Sequence, residues 1–199
     1  MNDCFALLNE PRRPWLDNEA LKRKFISLSA ELHPDRTHAA GEAEKAAAQE
    51  RYANLNAAYN RLREPRDRLL HFLELELGAK PKDVQRIPAD LIPLFNELNQ
   101  ICRQADTFLV EKALVTSPLL KVQMFDRSQE CTEELAALQR RISSERDGLL
   151  AHIQGIDADW KDGPDRAAVL ARLEELYRLL SYFTRWSDQL RERIVQLSL

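Results

Sequence analysis

Residues 18–36 read NEALKRKFISLSAELHPDR, and the fold turns on this stretch. Leu21, Phe25, Leu28 and Leu32 recur at spacings of four, three and four, the period of a helix with one apolar face. Asp17 stands just ahead of it as an N-cap. Pro34 disfavours helical geometry at His33, so the helix must end there, leaving the imidazole of His33 and the carboxylate of Asp35 on a tight turn. After a polar break around Thr37–Gly41, the helical period resumes with Ala48, Tyr52, Leu55, Tyr59 and Leu62. The tripeptide therefore lies between two amphipathic helices whose apolar faces can pack on each other. A short helix over about Phe5–Leu8 precedes the pair. Pro65 sits at the N1 position of a fourth helix, which carries Leu69, Phe72, Leu73 and Leu77.

Residues 78–88, GAKPKDVQRIP, bring a glycine and two prolines together with few apolar side chains, which marks a linker. Three long helical patterns follow. The first starts near Asp90 and runs through Leu91, Leu94, Leu98, Ile101, Ala105 and Phe108, with Pro93 tolerated only in the first turn. Ser117-Pro118 opens the second, which shows Met124, Cys131, Leu135, Leu138, Ile142 and Leu149. Gly163-Pro164 opens the third, whose seam runs from Val169 through Leu173, Leu180, Phe183 and Leu190 to Leu197, with Ser187 a polar step. These patterns predict an all-α chain: four short helices over 1–77, the linker, and a long three-helix bundle over 89–199.

Composition narrows the function. Hydrophobic residues make up 44% and charged residues 31% of the 199, a globular and helix-leaning balance with only 5 glycines. The net charge of −3 excludes the dominant positive field that nucleic-acid binding needs. Cys4, Cys102 and Cys131 are odd in number and form no C-x-x-C pair, so a disulfide scaffold and a thiolate zinc site are both disfavoured. His33 and His38 lack a third metal ligand nearby, and no cofactor motif such as a Gly-rich phosphate loop or a nucleophile elbow is present. No apolar run reaches the roughly 18 residues of a membrane span, and no secretory signal opens the chain. The expected address is the cytoplasm, and the expected role is binding rather than catalysis.

The stretches EALKRKFISLSAELHPDR (19–36) and YANLNAAYNRLREPRDR (52–68) resemble the second and third helices of a J-domain. That resemblance implies docking on a DnaK-type chaperone and stimulation of its ATPase. His33, Pro34 and Asp35 would form the essential contact, with Asp35 paired to a chaperone arginine. Lys22, Arg23 and Arg36 fit the basic surface that steers such docking. Ile26, Ser27 and Glu31 fall where general-purpose J-domains often carry basic residues, which points to a specialised chaperone partner or to slower docking on a generic one.

A J-domain joined by a short linker to a helical bundle resembles the HscB family of iron–sulfur cluster co-chaperones. DCFALLNEPRRPWLDNEALKRKF (3–25), LREPRDRLLHFLELELG (62–78) and QMFDRS (123–128) carry the likeness along the chain. It implies an HscA-type ATPase as chaperone and an IscU-like scaffold protein as client. The client patch would fall on Leu91, Ile92 and Phe95, with Tyr182 as its aromatic. The acidic neighbours of that patch are replaced by Asn96, Asn99 and Arg103, and the segment from Phe125 to Tyr182 is longer than the family pattern. Two other readings stay open: a J-domain protein with a different client or none, and a structural helical protein whose J-like turn stimulates nothing.

Overall fold

A computed structural model of the chain describes residues 2–32, 41–81, 87–162 and 165–198, without the side chains of Pro118, Lys121, Lys161 and Asp162. The described residues form seven α-helices and no strand. In order these are α1 (Cys4–Leu7), α2 (Asn18–Glu31), α3 (Glu42–Arg63), α4 (Pro65–Leu77), α5 (Ile92–Leu114), α6 (Pro118–Asp162) and α7 (Arg166–Ser198), with a single 3₁₀ turn (Ala89–Leu91) leading into α5. The contacts gather into two compact units. One comprises Met1–Lys82 with Leu150–Tyr177, the other Asp83–Leu149 with Arg178–Leu199, so α6 and α7 contribute residues to both.

The helix ends follow local chemistry. The Asp3 carboxylate accepts from the backbone N–H groups of Phe5 and Ala6, and that of Asp17 accepts from Ala20 at 2.7 Å. Proline occupies the first turn of α4 and of α5, where a missing N–H leaves no bond unmade. Gly78 closes α4 with φ +69°, a left-handed geometry that only glycine adopts without strain. Gly163-Pro164, expected to open α7, lie outside the described residues. Beyond them Asp165 accepts from the Ala168 N–H at 3.0 Å and caps the helix.

In the first unit α3 packs against α1, α2 and α4. Phe25 of α2 stacks on Tyr59 of α3 with ring centroids 4.1 Å apart, which fixes the pair. The sequence pattern gives α4 one apolar face ending at Leu77, but Leu77 is 41% exposed at the helix terminus. The interior instead includes three polar side chains of α4: Arg68, His71 and Glu74. Each has partners that make burial tolerable. Arg68 donates to Asn18 Oδ1 (3.0 Å) and to the Leu62 carbonyl (3.1 Å). Glu74 accepts from Arg61 at 2.5 Å, and His71 Nε2 accepts the Cys4 N–H at 2.9 Å. Burial lowers the Arg68 pKa to about 10, against the pull of Asp157 and Glu64, so the guanidinium stays charged at neutral pH.

The acceptor role of Nε2 places the proton of neutral His71 on Nδ1, which lies 3.9 Å from Glu74 Oε2. Burial first, and then the charge of Arg61, push the imidazole below its ordinary 6.5. The unfolded chain therefore takes up this proton at a higher pH than the folded one. The resulting stability is present above 6.5 and is lost as pH falls through the folded value. Urea midpoints should decline from about pH 7.5 to about pH 5, and His71→Gln, which keeps an acceptor without titrating, should flatten part of that decline. An identical slope in the variant would exclude His71 as its source.

The second unit buries Leu98, Cys102 and Phe108 of α5, Leu135, Leu138 and Ile142 of α6, and Phe183, Trp186 and Leu190 of α7 in one core. All but Trp186 are residues that the spacing rule places on facing seams. Ser187, the polar step of the α7 seam, is buried with them. Burial raises the thiol pKa of Cys102 and Cys131, which keeps both sulfurs protonated. Among the described residues no group of three His, Cys, Asp or Glu is placed to hold a metal ion, and no helix is long and apolar enough to cross a membrane.

Candidate chaperone and client surfaces

The candidate chaperone face is built on α2. Leu21 is buried, Phe25 is held by Tyr59, and the opposite side presents Lys22, Arg23, Ile26 and Ser27 to solvent. The helix closes at Leu32, whose N–H donates to the Leu28 carbonyl at 3.0 Å. It therefore ends directly before the tripeptide. His33, Pro34, Asp35 and Arg36 themselves lie outside the described residues. Lys24 does not add to the exposed cations of this face: its ammonium binds Glu10 (2.7 Å) and the Asn9 carbonyl (2.8 Å). With Ile26 at 56% exposure, the face is a modest basic patch interrupted by an apolar side chain.

The segment leading into α2 is anchored. Arg13 donates twice to Asp157 of α6, once from Nε at 3.2 Å, and the Trp15 N–H points at the same carboxylate at 3.4 Å. Trp160, one turn further along α6, donates its indole N–H to the Arg12 carbonyl and meets Phe72 edge-on with centroids 4.8 Å apart. The length of α6 thus brings Asp157 and Trp160 to residues 12–15 of the same unit. No reading of the first 77 residues alone could have found these two partners.

The candidate client residues lie in the second unit. Ile92 is 45% exposed, while Leu91 and Phe95 are half-buried against the core. Tyr182 is only 7% exposed and sits 5.9 Å, centroid to centroid, from Trp186. Phe95 faces Trp186 at 6.0 Å. Trp186, itself 4% exposed, thus lies between Phe95 and Tyr182. A Trp one turn beyond Tyr182 was the available signal. Asn96 and Arg103 are exposed, and Arg103 folds back so that its Nε donates to the Asn99 carbonyl at 3.1 Å. Glu97, between them, pairs with Arg141 at 2.5 Å. The patch is thus apolar and aromatic, and Glu97 beside it is already engaged.

No protein-family model matches the chain. Over 84 residues it is 41% identical to the co-chaperone protein HscB homolog of Paraburkholderia phymatum, a match covering 40% of this chain and 48% of that relative. The HscB homolog of Burkholderia mallei (strain SAVP1) is 37% identical over 79 residues, covering 38% and 45%. These matches span about half the length of the curated relatives. Among solved structures, chaperone HscB from Vibrio cholerae superposes with a TM-score of 0.68 at 20% identity, covering 100% of both chains. Human co-chaperone protein HscB gives 0.66 at 16% identity, covering 96% of this chain and 82% of that one. At those identities the superpositions establish the fold, and the shorter sequence matches supply the kinship. The chain is thus similar in sequence to HscB co-chaperone homologs over part of its length, and alike in fold to HscB structures over the whole.

Proposed function

We propose that this chain is a co-chaperone that stimulates a DnaK/HscA-type ATPase and presents an IscU-like iron–sulfur scaffold protein to it. The observation that carries the reading is the setting of α2: clamped on α3, exposing Lys22 and Arg23, and closing at Leu32 immediately before His33-Pro34-Asp35. The tripeptide and Arg36 would engage the chaperone, and the basic pair would steer the encounter. The protein itself performs no chemistry in this scheme; hydrolysis takes place on the partner. Residues 1–77 carry the chaperone contact, and 89–199 carry the client. Leu91, Ile92 and Phe95 form the client patch, with Trp186 beside Phe95 and Tyr182 behind it. A second reading, the same chaperone function with a different client, is favoured by Asn96, Asn99 and Arg103, which stand where the resemblance would place acidic neighbours of the patch.

The test is steady-state ATP hydrolysis by the chaperones of the same cell, with and without the scaffold protein. Wild type should accelerate hydrolysis, His33→Gln should not, and Phe95→Ala should retain the acceleration while losing the scaffold's added effect. Wild type without effect on any of these chaperones would overturn the co-chaperone reading. Acceleration that ignores the scaffold would leave the chaperone role and remove the proposed client.

A further inference from the structure

A cleft of about 360 Å³ in the first unit is lined by Pro11, Arg12 and Arg13 of the segment before α2, by Trp160 of α6 and by Arg166 of α7. Three of these side chains are guanidiniums and, among the described residues, no carboxylate lines the cleft. Each guanidinium is held in place. Arg12 Nε donates to Asp3 at 2.7 Å, Arg13 donates twice to the buried Asp157, and Arg166 lies over the Trp160 ring, 4.1 Å from its centroid. The Trp160 indole N–H in turn donates to the Arg12 carbonyl at 3.3 Å, which ties the two sides of the cleft together. Groups fixed in this way lose little freedom on meeting a ligand. They also keep donors for one. Arg12 engages Asp3 through Nε alone, and Arg13 leaves Nη1 outside its pair with Asp157. Arg166 approaches Glu76 only at 3.9 Å, beyond hydrogen-bond reach, and the neighbouring Asp165 is turned to the Ala168 N–H.

We propose that this cleft binds a small phosphorylated molecule of mononucleotide size. A phosphate monoester brings about two negative charges and three strong acceptor oxygens, which suits three guanidiniums that share one cleft. A lone carboxylate has two oxygens and one charge, and a single guanidinium fork satisfies it. The volume is more than a phosphate fills and lies within the roughly 300–1,000 Å³ of small-molecule sites. What remains of the wall is flat or apolar: Pro11, the Trp160 ring and the Arg166 guanidinium stacked on it. The Arg166 side chain is 63% exposed, so one face of its plane stays open, and a planar cation of this kind stacks on aromatic rings. The ligand class is therefore a phosphate joined to a flat ring, the phosphate among the arginines and the ring against Arg166. All five lining residues lie outside α2, the tripeptide and the α5 client patch, so the proposal stands whether or not those assignments do.

The test is calorimetric titration of the full chain at low salt with adenosine and uridine monophosphates, and with inorganic phosphate and citrate as comparison anions. At least one nucleotide should bind with a Kd between about 10 µM and about 1 mM, and at least about tenfold more tightly than either comparison anion. Arg12→Gln and Arg166→Gln should each weaken that binding at least about tenfold, the loss of one charge-assisted hydrogen bond. Arg191→Gln, an exposed arginine of the second unit, should leave it unchanged. The Arg12 and Arg166 side chains are 50% and 63% exposed, so helicity and melting temperature should stay at the wild-type values in both variants. In the nitrogen–proton spectrum the indole signal of Trp160 should move on titration, while that of Trp186 stays. No binding of either nucleotide up to about 5 mM would overturn the proposal, as would unchanged binding by both variants. Citrate bound as tightly as the nucleotides would overturn the choice of phosphate, and inorganic phosphate bound as tightly would overturn the ring.

Discussion

Phe72→Ala is expected to lower the unfolding free energy by about 3–5 kcal/mol, the largest loss for any single substitution in the first unit. The ring is fully buried, so the whole of its apolar surface returns to a cavity rather than to water. It also loses an edge-to-face contact with Trp160, centroids 4.8 Å apart at 82°, a geometry worth about 0.5–1.5 kcal/mol beyond area. Collapse of the cavity is restricted, because the flanking α4 residues His71, Leu73 and Glu74 are themselves buried and two of them are held by hydrogen bonds. Leu77→Ala, on the same helix but exposed, is the control and should change stability by no more than about 0.5 kcal/mol. Urea denaturation of both variants decides the matter. A loss below about 1.5 kcal/mol for Phe72→Ala would mean that Trp160 does not cap α4 as described.

The contrast between Phe72 and its polar neighbours shows what the sequence could and could not disclose. Local rules located the helices well: Asp17, Pro65, Gly78 and Pro93 each act at the boundary where their chemistry places them. Apolar spacing likewise found the seams of α3, α5 and α7, because a residue every three or four positions can only mean one buried face. In α4 the rule found Leu69, Phe72 and Leu73, all buried, and overreached only at Leu77. Arg68, His71 and Glu74 look like a solvated side, yet each is covered and hydrogen-bonded by a residue of another helix: Asn18, Cys4 or Arg61. Periodicity reports one covered face and is silent about a second one covered by other helices of the unit. Trp186 was passed over for a related reason. A core aromatic and an aromatic beside a docking patch look alike until a neighbour such as Phe95 is placed. The likeness to HscB, by contrast, was legible from a tripeptide and its two flanking helices, since a short motif gains specificity from the elements that present it.

Asp157→Ala should be the most damaging change to a charged residue, with an expected loss of about 2–3 kcal/mol. The carboxylate is 3% exposed and receives Arg13 through two donors and the Trp15 N–H. Breaking a fully buried pair typically costs about 3–5 kcal/mol, because the orphaned partner has neither a counter-charge nor water. Here the Arg13 side chain retains 37% exposure, so part of its hydration returns and the expected loss is smaller. The buried Arg68 adds to the loss, since Asp157 is one of the two carboxylates that favour its charged form. Asp157→Asn keeps an oxygen acceptor without the charge and should fall between alanine and wild type. Asp106→Ala, at the exposed ion pair with Arg193, should shift stability by less than about 1 kcal/mol. Because Arg13 and Trp15 lie only two to four residues before the Asp17 cap, the loss should also loosen the entry to α2. The proposed stimulation of a partner ATPase should therefore fall for Asp157→Ala at temperatures well below its melting point, and stay normal for Asp106→Ala up to its own. Equal stimulation profiles for the two variants would separate the anchor from the chaperone face and leave Asp157 with a purely stabilising role.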